Sequence, residues 1–432
     1  MMYRIVNDRS VPIAEGIIDR NAGQRVVHLP IDIPRAGVRS SESAHIPALD
    51  GLRGVAILMV MLFHFGSEVD DLGHYSILCR PLRVGWAGVD LFFVLSGFLI
   101  TGILLETRRD PRYFRNFYMR RTLRVFPLYF LVTGTVAVAS GMSSVAAHWL
   151  GLAWHSQWWY WTYASNFLVT VHGGWVGPFD HFWSLAVEEH FYLVWPLVVF
   201  FLDRRQLFWT CGVLVAIAFV SRCVATHDGH ASLAAYVLTP CRMDSLACGA
   251  AMAIICRTRS GQRLLVRWGW PMILILVAGL AGVAGMAHGY SSGRLAVQRF
   301  GLTLMAMLCA MVVALASPTG AGVANWMVVV LRHRVLRFLG RYSYAMYIFH
   351  PLFESVRRSI FSGWHGQQNV IFFVCYVMVS MATAIAPAML SWHLLEKPIL
   401  NLKRYFSYSK SRRERIQLGA PADLGFRGAT AA

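Results

Sequence analysis

Apolar stretches of near-spanning length recur along the chain at about residues 51–68, 86–105, 125–140, 186–202, 207–225, 236–255, 269–288, 299–317, 337–356 and 369–395, and the charges gather in the runs between them. A bilayer's hydrocarbon core is about 30 Å thick and takes about 20 helical residues to cross. The pattern therefore predicts an all-α, polytopic membrane helix bundle of about ten transmembrane helices. One more stretch, 148–170, is rich in tryptophan but carries His148 and His155, and it reads as an interfacial or re-entrant segment. Composition supports this class. With 432 residues, 56% hydrophobic and 14% charged, and a mean hydropathy of +0.49, the chain is too apolar for a soluble protein of its length.

Charge placement sets the expected orientation. Arg108, Arg109, Arg112, Arg115, Arg120, Arg121 and Arg124 crowd one short stretch, whereas residues 125–203 contain no Lys or Arg. Basic loops stay on the cytoplasmic side, so the first stretch is expected inside and the second reaches the opposite face. Counting onward puts both termini in the cytoplasm of a multi-pass membrane protein. The expected parts are a cytoplasmic N-terminal extension over 1–46, one membrane domain over 47–402 and a basic cytoplasmic tail over 403–432. The net charge of +18 is then a topology signal plus attraction to anionic membrane lipids. A nucleic-acid partner is not expected, since no soluble domain gathers the basic residues on one face. Most of the eight cysteines lie in or beside predicted spans, and no C-x-x-C pair occurs, so packed free thiols are expected.

Ionisable residues inside the apolar stretches mark candidate chemistry, because buried charge is costly and usually faces a bundle interior or a watery cavity. Arg53 and His64 are eleven residues apart in the first stretch. Eleven steps of about 100° return to nearly one azimuth, so on a helix both face one direction, about 16 Å apart along the axis. Asp90 stands in Gly85-Trp86-Ala87-Gly88-Val89-Asp90-Leu91-Phe92-Phe93-Val94-Leu95-Ser96-Gly97, whose small residues permit close helix approach. Arg120, Arg121 and Arg124 precede Val125-Phe126-Pro127. Trp183-Ser184-Leu185-Ala186-Val187-Glu188-Glu189-His190 opens a helix on which Glu188, Tyr192 and Trp195 share a face at i, i+4 and i+7. Further on come Cys241-Arg242-Met243-Asp244, the stretch Gly340-Arg341-Tyr342 to His350-Pro351, and Glu396-Lys397-Pro398.

In this order these segments resemble the acyltransferase-3 family, integral membrane enzymes that move acyl groups onto sugars and other acceptors. The resemblance covers about residues 46–402, and Arg53 and His64 match the family's hallmark arginine and histidine of the first helix. It implies an acyl-CoA donor, usually acetyl-CoA, arriving from the cytoplasm. The implied acceptor is a hydroxyl of a saccharide such as O-antigen, exopolysaccharide, lipopolysaccharide or another lipid-linked or cell-surface glycan. It also implies that transfer is completed by the membrane domain itself or handed to another protein.

The chemistry fits those residues. Moving an acyl group from a thioester to an alcohol needs a base for the hydroxyl, stabilisation of the tetrahedral oxyanion and a grip on an anionic donor. His64 is the expected base, with Glu68 one turn later placed to orient its ring. Arg53 suits donor phosphate or the oxyanion, its alternative being a snorkelling topology anchor. Arg120, Arg121 and Arg124 suit CoA phosphates, although topology alone explains much of that charge. Glu188 and Glu189 are candidate catalytic carboxylates; a simple preference for acids at a helix N-terminus is their bland reading, with Trp183-Ser184 as cap. Asp90, Tyr192, Trp195 and His350 are candidate substrate-binding residues, His350 also a second candidate base. Trp158, Trp159, Trp161 and Trp175 fit either a sugar or an interfacial belt. Arg242 and Asp244 read as a structural pair.

Rival chemistries find little support. H-E-x-x-H, Walker A and G-x-G-x-x-G patterns are absent. His148, His155, His172, His181 and His190 share one region without metal-ligand spacing on a helix, so no metal is expected. The alternative of another class is a non-enzymatic transporter or flippase, in which Arg53, His64 and Glu188 form a polar path. Transporters often show inverted repeats, and no such internal symmetry is visible.

Overall fold

The structure, a computed structural model, describes residues 46–71, 82–142, 156–317, 325–361 and 370–408. The N-terminal extension apart from its last residue, the tail from 409 onward, Cys79, His148 and His155 lie outside the described residues. Those described form helices and connecting turns, with no strand among them. In chain order the principal helices are α1 (Pro47–Asp71), α2 (Gly88–Thr107), α3 (Tyr113–Met142), α4 (Ser165–His172), α5 (Phe182–Phe201), α6 (Arg204–Ala225), α7 (Thr239–Ile255), α8 (Arg259–Met286), α9 (Leu302–Ala316), α10 (Arg334–Phe349), α11 (Glu354–Phe361) and α12 (Val370–Ser391).

Among the described residues eight helices are long and apolar enough to cross a membrane: α1, α2, α3, α5, α6, α8, α9 with the π turn before it, and α12 with its short continuation. This is a multi-pass membrane bundle. The expected spans at 236–255 and 337–356 form shorter helices, α7 of 17 residues and α10 of 16. Local chemistry sets their ends. Pro240 sits in the first turn of α7, where its missing N–H costs no helix bond. Pro351 follows the last turn of α10 and has no N–H to donate to the Tyr347 carbonyl one turn back, so the helix bonds end at His350. Asp203 and Gln206 start α6 with a reciprocal capping box. Among its described residues, the tryptophan-rich stretch gives a turn at Trp158–Trp161 and the eight-residue α4, each too short to span.

Leu274 and Ile275 on α8 and Ile371 and Met378 on α12 face outward, an apolar surface suited to lipid tails. Inside, glycine lets backbones touch. A Cβ on Gly97 of α2 would lie 2.0 Å from the Leu246 carbonyl oxygen of α7, and one on Gly249 of α7 would lie 2.1 Å from that of Val94. The α1–α10 contact uses Gly54 and Gly340 in the same way, and Gly51 of α1 comes as close to the Leu331 carbonyl just before α10. With little hydrophobic drive between helices in lipid, such close approach and interhelical polar bonds hold a bundle together.

Three buried ion pairs supply those bonds. Arg242 of α7 meets Asp90 of α2 at 2.7 Å, Arg222 of α6 meets Asp244 of α7 at 2.9 Å, and Arg357 of α11 meets Glu68 of α1 at 2.6 Å. Removing one partner of a buried pair costs about 3–5 kcal/mol, because the other charge is left unpaired. Arg242 and Asp244 are thus structural, but each pairs with a different helix rather than with its neighbour in sequence. The seven described cysteines are free thiols.

Candidate functional site

A cavity opens where α1, α2, α3, α5 and α10 converge. Arg53 enters it from α1, Ser96 from α2, Arg121 and Arg124 from α3, Ser184, Glu188, Glu189 and Tyr192 from α5, and Ser343, Tyr344 and Tyr347 from α10. Val89, Phe92, Phe93, Leu95, Val125 and Leu185 complete its apolar wall. Three guanidinium groups and two carboxyl groups thus converge in a low-dielectric space, which strengthens their action on any charge that develops there.

Helix periodicity builds the carboxylate side. Glu188 and Tyr192 are one turn apart on α5, and Ser96 of α2 lies between their polar ends. The Ser96 hydroxyl donates to Glu188 Oε1 at 2.6 Å, which leaves its oxygen to accept from the Tyr192 hydroxyl at 2.7 Å. The Arg121 guanidinium lies over the Tyr192 ring, 4.9 Å from its centroid. Arg53 carries its own acid at i−3, with Nη1 3.3 Å from Asp50 Oδ1. Arg124 stacks over Trp392, in the π turn that ends at buried Glu396.

Tyr347 closes one wall of the cavity and also forms the near wall of a histidine cluster. Its hydroxyl lies 2.6 Å from Ser184 Oγ and donates to the His181 carbonyl at 3.0 Å. Its ring packs 5.2 Å from His181 and 5.7 Å from His350. His350 is central, with ring centroids 4.7 Å from His64 and 5.0 Å from His181. Each ring uses Nδ1 on a backbone carbonyl of its own segment: His64 on Val60, His350 on Tyr347, both at 2.8 Å, and His181 on Pro178 at 2.9 Å. A carbonyl only accepts, so Nδ1 holds the hydrogen and Nε2 of each neutral ring carries a lone pair. Just before His181, burial pushes the Asp180 carboxyl up to about 6.

Of the residues singled out from sequence, the cavity gathers Arg53, Arg121, Arg124, Glu188, Glu189 and Tyr192. Others stand elsewhere. His64 does not line it but adjoins it through His350 and Tyr347. Glu68 does not orient His64: Arg357 and the Tyr376 hydroxyl occupy its carboxylate. Asp90 is tied to Arg242 and Ser245, a structural position rather than a saccharide contact. Trp195 is buried, donating from Nε1 to Thr101 Oγ1 at 2.8 Å and stacking on Phe191, so the stripe from Glu188 through Tyr192 stops short of it. Arg120 turns away to the Lys403 and Phe406 carbonyls and the Tyr408 ring. His350 lies behind Tyr347, outside the cavity. Ser184 does not cap α5, which begins at Phe182.

Sequence reasoning missed Ser96, Ser184, Tyr344, Tyr347 and His181 as site residues. Ser96 read only as a small packing residue beside Gly97. His181 stands three residues before Ser184, on the turn that leads into the Glu188 helix, and that register was the available signal. Among the described residues no three His, Cys, Asp or Glu side chains are arranged to hold a metal ion.

Comparison with known proteins agrees with this architecture. A family model described as an acyltransferase domain matches residues 46–389. YrhL of Bacillus subtilis (strain 168), a presumed peptidoglycan O-acetyltransferase, is 26% identical over 84% of this chain and 56% of its own length. The O-acetyltransferase OatA of Staphylococcus aureus (strain NCTC 8325 / PS 47) is 24% identical over 82% of this chain and 57% of its own. The chain therefore spans a little over half the length of these relatives. No solved structure matches it. The matched region takes in α1 to α12 almost entirely, with every cavity residue inside it: the chain belongs to the acyltransferase-3 family of membrane acyltransferases.

Proposed function

We propose that this protein moves an acetyl, or another short acyl group, from cytoplasmic acyl-CoA to a hydroxyl of a cell-surface or lipid-linked saccharide across a bacterial plasma membrane. The observation that carries this reading is the single cavity holding Arg53, Arg121 and Arg124 with the Glu188–Ser96–Tyr192 chain, one tyrosine away from three imidazoles with free Nε2 atoms. Arg121 and Arg124 suit the donor's phosphates, which a planar guanidinium grips in bidentate fashion. Arg53 suits the oxyanion that forms as the hydroxyl adds to the thioester carbonyl, and Glu188 with Tyr192 suits the acceptor's hydroxyls. His64 serves as base. Its Nδ1–H is held by Val60, so Nε2 takes the hydroxyl proton, and that proton leaves on the sulfur as CoA thiol. The peptidoglycan named for the Bacillus relative supports a glycan acceptor for this chain as well.

The test uses the full chain in proteoliposomes with radiolabelled acetyl-CoA and a glycan panel that includes peptidoglycan fragments and lipid-linked saccharide. The expected result is CoA release matched by alkali-labile acetyl on one glycan. Release without a glycan ester contradicts the acceptor, and absence of donor turnover with every glycan contradicts the donor.

A further inference from the structure

His350 and His181 are fully packed polar side chains whose Nε2 atoms find no hydrogen-bond partner, and His64 brings a third Nε2 to the same spot. All three Nδ1–H groups are already spent on local carbonyls. In the neutral state the cluster therefore sets acceptor beside acceptor, an arrangement with no mutual hydrogen bond. One added proton changes that. A protonated Nε2 becomes a donor, and the neighbouring rings stand edge to face with centroids 4.7 and 5.0 Å apart, close enough for a small ring rotation to bring a lone pair to it. A second proton is repelled by the first.

The charges around the cluster leave room for one positive charge. Glu68 and Arg357 offset one another beneath it, and Arg357 Nη1 donates to the His350 carbonyl at 3.0 Å. Glu354 accepts from Arg358 at 2.8 Å. Asp180 precedes His181 and accepts from the Gly177 N–H at 2.8 Å. Tyr347 and Ser184 contribute hydroxyls on the cavity side. Burial and the neighbouring His64 push the His181 ring toward its neutral form, which the carbonyls of Pro178, Ile348 and Tyr347 offset only in part.

We propose that His181 and His350 are positioning residues that, with His64, hold one proton in common during acyl transfer. The inference rests on the transferase reading with His64 as base. As the acceptor oxygen bonds to the thioester carbon, its O–H bond breaks and the proton goes to Nε2 of His64, where His350 and then His181 share it. When the tetrahedral adduct collapses, the C–S bond breaks, the sulfur leaves with the electron pair, and the shared proton returns to it as CoA thiol. Alcohol and thioester become ester and thiol, with no net gain of protons.

The test is a pH titration of the full chain in lipid nanodiscs with ¹⁵N-labelled histidine, each ring assigned by its loss in His64→Asn, His181→Asn and His350→Asn. Sharing predicts that the three wild-type rings respond over one common pH interval to uptake of a single proton. It also predicts that His350→Asn lowers the His64 midpoint by about one pH unit or more, with a matching move in the acid limb of the transfer rate. His181→Asn gives a smaller move in the same direction and carries the test if His350→Asn does not fold. Rings that titrate independently, or a His64 midpoint and acid limb that stay put while the rate falls, overturn the proposal and leave both residues structural. If wild-type protein transfers no acyl group, the transferase reading fails instead, and the titration still reports on the cluster.

Discussion

Replacing His64 with alanine should lower acyl transfer by about 10²–10⁴-fold, the usual worth of a positioned general base, while the protein still accumulates folded in the membrane. Among the described residues its side chain hydrogen-bonds to Val60 alone, within its own turn of α1, and its ring is partly exposed, so little of the fold depends on it. Loss of activity without loss of protein separates a chemical role from a structural one. The measurement is initial transfer rate per mole of purified protein, alongside thermal stability. A variant that transfers at the wild-type rate assigns the base to another residue, and His350 then becomes the first candidate.

Gly97→Val should cost about 3 kcal/mol or more and leave little folded protein after detergent extraction, because added bulk in a tight interface forces backbones apart. The Cβ would sit 2.0 Å from the Leu246 carbonyl oxygen, a backbone atom that cannot rotate away. Moving α2 from α7 also stretches the Asp90–Arg242 pair, which spans the same two helices. Gly212→Ala is the matched control, since nothing lies within 4 Å of a Cβ there. Its helix should hold or gain slightly in stability. The thermal midpoint of each variant decides the matter: equal midpoints would show that the close approach of α2 and α7 is dispensable.

The helical membrane class was legible because apolar runs report burial in lipid directly, and the polar residues that interrupt them must find a partner or a cavity. That logic singled out Arg53, Arg121, Arg124, Glu188, Glu189 and Tyr192, which the structure brings to one cavity. It could not tell a cavity residue from a buried ion pair. Asp90 and Glu68 look like Glu188 in sequence, yet their partners Arg242 and Arg357 lie 152 and 289 residues away, and only the packing of α2 on α7 and of α11 on α1 reveals them. Arg120 differs from Arg121 by one residue and so by about 100° around α3, enough to send it to the 401–408 segment instead of the cavity. Ser96 and Tyr347 were hidden for a different reason: small or aromatic residues within apolar runs read as packing, and their hydroxyl contacts are made across helices. His181 falls in a turn, where hydrophobic periodicity carries no information. The lengths of α7 and α10 were overestimated because apolar residues continue past the prolines that limit the helices.

The account depends on the donor reaching the cavity between the α3 arginines and Tyr347. The most direct test is an electron cryo-microscopy structure of the full chain in nanodiscs with a non-hydrolysable acetyl-CoA analogue. The account predicts phosphate density against Arg121 and Arg124, the pantetheine arm running past Ser96 and Glu188, and the acyl end beside Tyr347 and the histidine cluster. Analogue bound at saturation elsewhere on the protein, with that cavity unchanged, would contradict it.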